Sequence, residues 1–327
     1  MSTAPDPARA RLRGRLVTYG ILGAMVLAVA FHVEAWPMTS FRLFSFVRTS
    51  TQSELVLYAV DGAGARTEVP IDRDQRWFVE PTVRFNSTDF PIYQNMARVA
   101  EYKFRTLTSE AAVGHNFGRY GQAKLGFTVL RGNARRSTGT PLLGDASDVL
   151  QGWFVALDID RQDHLYFPTH GWSTHWRYAR YPGQGYDKLS ASLQGAYPLG
   201  RAVLRAAVSY AGAPSGRLPA FDSANLGGFL NLSAYARGQF VGDRIAYGRL
   251  GAEQILGKAP LGLSGDMRVG AALELARVGL RFTETQGRGN LNSVVFYLGG
   301  ETPIGPVYLG LGLAHDSRNL YLSLGLQ

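Results

Sequence analysis

The chain has 327 residues, with 39 glycines, 16 tyrosines, 17 phenylalanines, no cysteine and a formal net charge of +9. The lack of cysteine excludes a disulfide framework, a thiolate metal site and a cysteine nucleophile. The positive charge is dispersed apart from an arginine-rich start, leaving no basic helix or aromatic-basic platform for nucleic acid. A mean hydropathy close to zero excludes a polytopic helical protein and is what alternating lipid-facing and water-facing residues give when they cancel.

Arg9, Arg11, Arg13 and Arg15 precede an uncharged run from Leu16 to Phe31. With small residues at Val33 and Ala35, this describes a signal peptide cleaved before Trp36. It is equally at the short limit of a membrane-anchoring helix, with Arg15 and Trp36 at the interfaces. Residues 1–35 are therefore predicted as one hydrophobic helix, either signal peptide or anchor.

Residues 36–75 form a short β-rich segment of unclear origin. Glu54 to Val60 and Arg66 to Ile71 alternate on either side of Gly62 and Gly64 and predict a hairpin. With Phe41 to Arg48, they are shorter than a tilted transmembrane strand requires. Asp61, Gly62 and Ala63 have the composition of an Asp-Gly-Ala lipase element. The chain has no Gly-x-Ser-x-Gly elbow to supply a serine, so a turn is predicted and no enzymatic activity.

From Arg76 onward, period-two alternation recurs in run after run. Ala100, Tyr102, Phe104 and Thr106 share one face, and Glu101, Lys103 and Arg105 the other. Leu189, Ala191, Leu193, Gly195 and Tyr197 oppose Lys188, Ser190, Ser192 and Gln194, and Leu204, Ala206, Val208 and Tyr210 oppose Arg205 and Ser209. Val269, Ala271, Leu273 and Leu275 oppose Arg268, Gly270 and Glu274, and Val307, Leu309, Leu311 and Leu313 oppose Tyr308, Gly310 and Gly312. Tyrosines end two of these apolar faces, as an aromatic girdle requires. The pattern predicts an all-β antiparallel transmembrane β-barrel over residues 76–327, with charge confined to the water-filled side. About 13 strands are recognisable, against the even numbers with which bacterial barrels close. A charge at Leu193 or Leu273 is expected to impair assembly, and one at Ser192 or Ala272 to be tolerated.

Between two of these runs, Asp160, Asp163, Pro168 and Gly171 frame His164 and His170. Two carboxylates beside two histidines have metal-site or acid-base composition. No further ligand lies at metal-site spacing, so a capped turn is predicted, with no metal or cofactor. Later come Gly227, Gly228, Phe229, Asn231, Leu232, Ser233, Tyr235 and Gly242. Paired glycines let a chain pass close to other backbone, and rings anchor it. The segment is read as a loop re-entering the barrel, with Tyr235 and Asn231 anchored to the inward-facing Arg268 and Glu274.

Leu226, Gly227, Gly228, Phe229, Leu232, Ser233, Tyr235 and Gly242 resemble the inward-folding loop of the Omp85 superfamily of outer-membrane barrels, or bacterial surface antigens. The likeness is to the branch whose barrel follows a patatin-like phospholipase domain. The turn spacing at Asp160, Asp163, Pro168 and Gly171 resembles the same superfamily, as do Trp77 to Pro81 and the run from Thr302 to Gly312. Ala234 stands where the pattern has glycine, and Ser233 where other members carry arginine.

The resemblance implies a sixteen-stranded barrel and a non-enzymatic translocator or scaffold in the bacterial outer membrane, or at the inner membrane if the helix is retained. Implied partners are the lipid bilayer, the barrel assembly machinery, and a passenger polypeptide or second copy. The lipase domain, the periplasmic POTRA module and the first three strands of such a barrel are not recognisable in this sequence.

Overall fold

The computed structural model describes residues 57–60, 66–69, 76–118, 120–141, 146–164, 166–258, 266–284, 289–302 and 305–324. The predicted N-terminal helix and most of residues 36–75 lie outside this set. Strands β1 (Leu57–Val60) and β2 (Arg66–Val69) form the expected hairpin as a separate two-stranded sheet.

The rest is one antiparallel sheet. In chain order it comprises β3 (Trp77–Gln94), β4 (Ala97–Asn116), β5 (Gly121–Gly139), β6 (Ala146–Asp160), β7 (Gly171–Tyr181), β8 (Tyr186–Leu199) and β9 (Ala202–Gly212). The segment 213–243 follows, holding the three-residue strands β10 (Ala224–Leu226) and β11 (Phe240–Gly242). The sheet resumes with β12 (Arg244–Lys258), β13 (Asp266–Val278), β14 (Asn290–Thr302), β15 (Gly305–Leu313) and β16 (Arg318–Leu324). Each strand pairs with its predecessor, and β9 pairs with β12 across the interruption.

The sheet thus has 12 strands; with β10 and β11, 14 strands are described from Trp77 onward, beside the about 13 expected. The segment 213–243 stays out of this ladder: β10 pairs with β11, and Gly242 makes a single bridge to Arg281 in the β13–β14 connection. The start of β3 and the end of β16 lie at one end of the sheet, and the 213–243 segment lies at the other.

The alternation sets the two faces. Leu273 and Leu275 are 60% and 66% exposed on the outer face, while Glu274 between them is fully buried. Leu193, Leu204, Val208, Leu309, Leu311 and Leu320 likewise point outward. At the terminal end, Trp77, Phe117, Tyr120, Trp172 and Tyr197 stay exposed, the position of an aromatic girdle.

One run departs from expectation. In β4, Ala100 and Tyr102 face inward and are buried against Phe90, Ile92 and Val241, so Glu101, Lys103 and Arg105 face outward. With 20 residues, β4 is about twice as long as a tilted strand needs to cross hydrocarbon. Its far half therefore follows the soluble rule, apolar inside and charged outside.

The sheet curls round its own interior. Phe221 packs on Leu130, Ala134 and Leu150 of β5 and β6, Val241 on β3 and β4, and Phe229 on Tyr297 and Tyr308 of β14 and β15. One segment therefore touches both halves of the sheet. The β13–β14 connection also reaches the β3–β4 turn, where the Glu284 N–H donates to the Tyr93 carbonyl (2.8 Å) and its carboxylate accepts from the Met96 N–H (2.8 Å).

The two outer strands, β3 and β16, have one sheet neighbour each among the described residues. On β3 the Arg76 carbonyl accepts from Asn116, which fixes the ladder's phase: even-numbered residues turn their backbone groups toward β4 and odd-numbered ones toward the open side. Pro81 and Pro91 are both odd-numbered, so each removes a donor from the open edge.

Candidate functional site: the segment folded into the lumen

The 213–243 segment is held at its tip by backbone and wall together. Gly227 and Gly228 have φ of +120° and +114°, a region that costs glycine nothing and other residues a great deal. A Cβ on Gly227 would stand 2.1 Å from the Ala236 carbonyl oxygen. The Gly227 N–H donates to the Asn231 carbonyl (3.0 Å) and the Gly228 N–H to that of Tyr235 (3.0 Å), closing the tip on itself. Leu230 and Leu232 also have positive φ, +54° and +72°. For branched-chain residues this is strain of order 1–3 kcal/mol each, which persists only where surroundings impose it.

Glu274 is the main imposing group. Its carboxylate, fully buried on β13, accepts the N–H of Leu232 (3.2 Å) and Ser233 (2.6 Å), the Tyr247 hydroxyl (2.7 Å) and the Ser293 hydroxyl (3.0 Å). Ser293 in turn accepts from the Ala234 N–H (2.9 Å). The Ala234 carbonyl takes hydrogen bonds from Ser317 (2.6 Å) and Asn319 (2.8 Å), and that of Tyr235 from the Tyr321 hydroxyl (2.8 Å). Arg249 donates to the Leu230 carbonyl (2.6 Å).

Strand β15 supplies the seat. A Cβ on Gly312 would lie 2.0 Å from the Ser233 carbonyl oxygen, and one on Gly310 2.3 Å from the Phe229 ring. The small inward residues of this strand thus form a groove for the segment. Gly312→Val should expel the tip and free the backbone around Arg237, whose side chain is already exposed, for cleavage by trypsin in the folded protein. Unchanged cleavage would show that the groove is not what seats it.

The anchors differ from those expected. Glu274 does bind the segment, but through backbone N–H groups. The Tyr235 hydroxyl donates to Asp316 (3.0 Å), and the Asn231 amide turns back to the Gly227 carbonyl (3.4 Å). Ser233 accepts the Leu230 N–H (2.8 Å), and Gly242 lies in β11.

Arg268 is engaged elsewhere. It donates to Glu253 (3.2 Å), which also accepts from Arg205 (2.6 Å) and the Tyr297 hydroxyl (2.7 Å). The pull of two guanidiniums on a buried carboxylate accounts for this: a charge of that kind needs paired partners. Sequence reasoning did not find Glu253, Tyr247, Ser293, Asp316, Ser317, Asn319 or Tyr321. Their signal was inward parity, which becomes an address only when register is known.

The turn at Asp160 to Gly171 has the expected capping chemistry. Asp160 accepts the Gln162 N–H (3.0 Å), and Asp163 accepts the N–H of Thr169 (2.9 Å) and His170 (3.1 Å) and the Thr169 hydroxyl. Partial burial pulls the Asp163 pKa upward, but these hydrogen bonds and nearby His164 outweigh it and hold the carboxyl below its ordinary value. Pro168 is buried and Gly171 takes φ +100°. The turn also sends Phe167 into the lumen, against Tyr308 (5.2 Å between ring centroids) and under the Arg268 guanidinium.

Toward the terminal end of β3 to β7, away from Phe221 and Val241, the lumen keeps an open space. A cavity of about 270 Å³ there is bounded by Glu80, Arg84, Glu110, Lys124, Asp158, His175 and Arg177, among others. Opposite charges are paired across it, Lys124 with Glu80 (2.7 Å) and Arg177 with Glu110 (2.7 Å), and His175 with Asp158.

No protein-family model matches the chain, and no curated protein matches it in sequence. Solved structures do. BamA from Haemophilus ducreyi lacking POTRA domains 1–3 superposes with a TM-score of 0.56 and 16% identity, over 75% of this chain and 57% of that one. CdiB from Escherichia coli gives 0.51 and 15%, over 76% of this chain and 50% of that one. The chain therefore shares the barrel fold of these proteins while spanning little more than half of their length.

Proposed function

We propose that this chain is a non-enzymatic bacterial outer-membrane β-barrel translocator or scaffold, whose 213–243 segment acts as an internal gate. The carrying observation is the juxtaposition of a lipid-compatible outer face with a strained segment fastened inside by Glu274. The two-faced wall suits hydrocarbon outside and water within. The fastening by hydrogen bonds, with no covalent tie, suits a plug that can shift to extend the charged cavity beside it. The motif resemblance at Gly227 to Tyr235 supports the finer reading, a relative of the barrels of patatin-like secretion proteins.

The short turn at residues 200–201 and the long 213–243 segment at the opposite end suit a periplasmic turn and an outward loop respectively. Partners on this reading are the bilayer, the assembly machinery, and a passenger polypeptide or second copy. Fractionation with gel mobility tests the placement: the unboiled protein should sediment with outer membrane and migrate faster than the boiled one. Inner-membrane recovery with heat-insensitive mobility would favour a retained helical anchor and sink the barrel reading.

A further inference from the structure

Just beyond the apolar belt of β3 to β5, the outer wall turns strongly basic. The belt runs in rows from Trp77 to Phe85 on β3, matched by Leu107 and Val113 on β4 and Leu125 and Phe127 on β5. That is about 27 Å of strand at 3.4 Å per residue, comparable with the apolar band of outer-membrane barrels, about 25 Å tall. The next outward positions on β4 are Arg105 and Lys103; on β5 the row continues through Val129 to Arg131, opposite Leu107, then Asn133 and Arg135. Lys103 is directly opposite Arg135, and Arg105 is opposite Asn133, between Arg131 and Arg135. Cross-strand neighbours lie about 5 Å apart and diagonal ones about 7–8 Å, and like charges so placed destabilise a sheet.

Lys103 has Asp89 at 3.4 Å. Arg105, Arg131 and Arg135 are exposed and have no carboxylate partner among the described residues. The outward neighbours of these three arginines are Ser87 on β3, and Ser147 and Val149 on β6, while the two carboxylates nearby on this face, Asp89 and Glu101, are paired with Lys103 and Arg98. Arg205, Arg268 and Arg177 in the lumen, by contrast, are matched to Glu253 and Glu110. The unmatched ones sit where the belt ends, Arg131 beside Leu107 and Arg105 and Arg135 beyond it.

We propose that Arg105, Arg131 and Arg135 form a docking site on the outer wall for an anionic lipid whose headgroup carries phosphomonoester groups with no headgroup cation to neutralise them. Acyl chains lie on Phe85, Leu107 and Phe127, and the guanidiniums take phosphate oxygens in charge-assisted, bidentate hydrogen bonds. The phosphate supplies the negative charge that the sheet itself does not, which offsets the repulsion built into the register. The proposal rests on the membrane placement argued above. In the orientation given there, the patch faces the outward leaflet of the outer membrane.

The full chain, reconstituted in phosphatidylcholine nanodiscs doped with phosphatidic acid, tests this by native mass spectrometry of retained lipid. The wild type should retain phosphatidic acid in preference to phosphatidylcholine. The R105Q/R131Q/R135Q variant should bind it roughly a hundredfold more weakly, at about fivefold per arginine beside an anionic headgroup. Arg318→Gln, which removes a lone outward arginine at the same end of the sheet, should change nothing. Equal retention by wild type and triple variant overturns the site, and so does displacement of the lipid by inorganic phosphate at matched concentration. A chain that enters phosphatidylcholine but ignores phosphatidic acid defeats the site alone. One that enters no bilayer defeats the membrane reading and the site together.

Discussion

Glu274→Ala should release the internal segment. Four donors converge on the Glu274 carboxylate: two backbone N–H groups of the segment and the hydroxyls of Tyr247 and Ser293. A buried donor left without an acceptor costs about 1–3 kcal/mol. Because lumen water reaches some of these groups once the segment moves, a net loss of about 2–4 kcal/mol is expected. The positive φ of Leu230 and Leu232 adds to the effect, since that strain relaxes when the anchor goes. Two measurements should move together: the thermal midpoint in detergent should fall, and conductance in planar bilayers should rise several-fold above the wild type. Glu274→Gln keeps one acceptor oxygen and should fall between the two. A variant that unfolds and conducts like the wild type would mean that the tip is held by the β15 groove and the β16 side chains, and that Glu274 is incidental.

The second large effect concerns the outer face. A lysine at Leu193 projects into lipid and costs about 2–4 kcal/mol near the bilayer midplane, falling toward the interfaces. At Ser192 the same lysine points into the open space of the lumen, in the row that holds His175 and Asp158, and should cost little. Yield of heat-modifiable protein after refolding into lipid reads the difference. Indistinguishable yields would contradict the register. Leu273 should behave like Leu193, but Ala272 is a poor control, contrary to the expectation from sequence. It is inward yet buried against Val295 and Tyr297, so a lysine there is excluded by packing, whatever its charge.

The face rule and the glycine-rich tip were legible in the sequence for the same reason: both are local. Period two along one strand assigns Leu273 and Glu274 to opposite faces without any knowledge of neighbours. The doubled glycine at 227 and 228 announces backbone that other residues would avoid. What could not be read depends on register. Glu253 meets Arg205 and Arg268 only because β9, β12 and β13 align as they do, and nothing at those three positions signals the others. The orientation of Val99 to Thr106 was illegible for a related reason: an alternating run does not say which face is inside, and the answer reverses where a strand leaves hydrocarbon.

The two prolines on the open side of β3 bear on how the protein survives before insertion. An edge 18 residues long is a template on which another chain could grow, and stalled intermediates in water would collect there. With Pro81 and Pro91 in place, the uninterrupted donors between them are those of Val83, Phe85, Ser87 and Asp89. A strand arriving from a neighbouring molecule finds a short ladder with a missing rung at either end, and its lifetime there is correspondingly brief. Replacing both prolines would lengthen that ladder and should show itself as faster precipitation of the unfolded chain on dilution from denaturant, before any change in the finished protein.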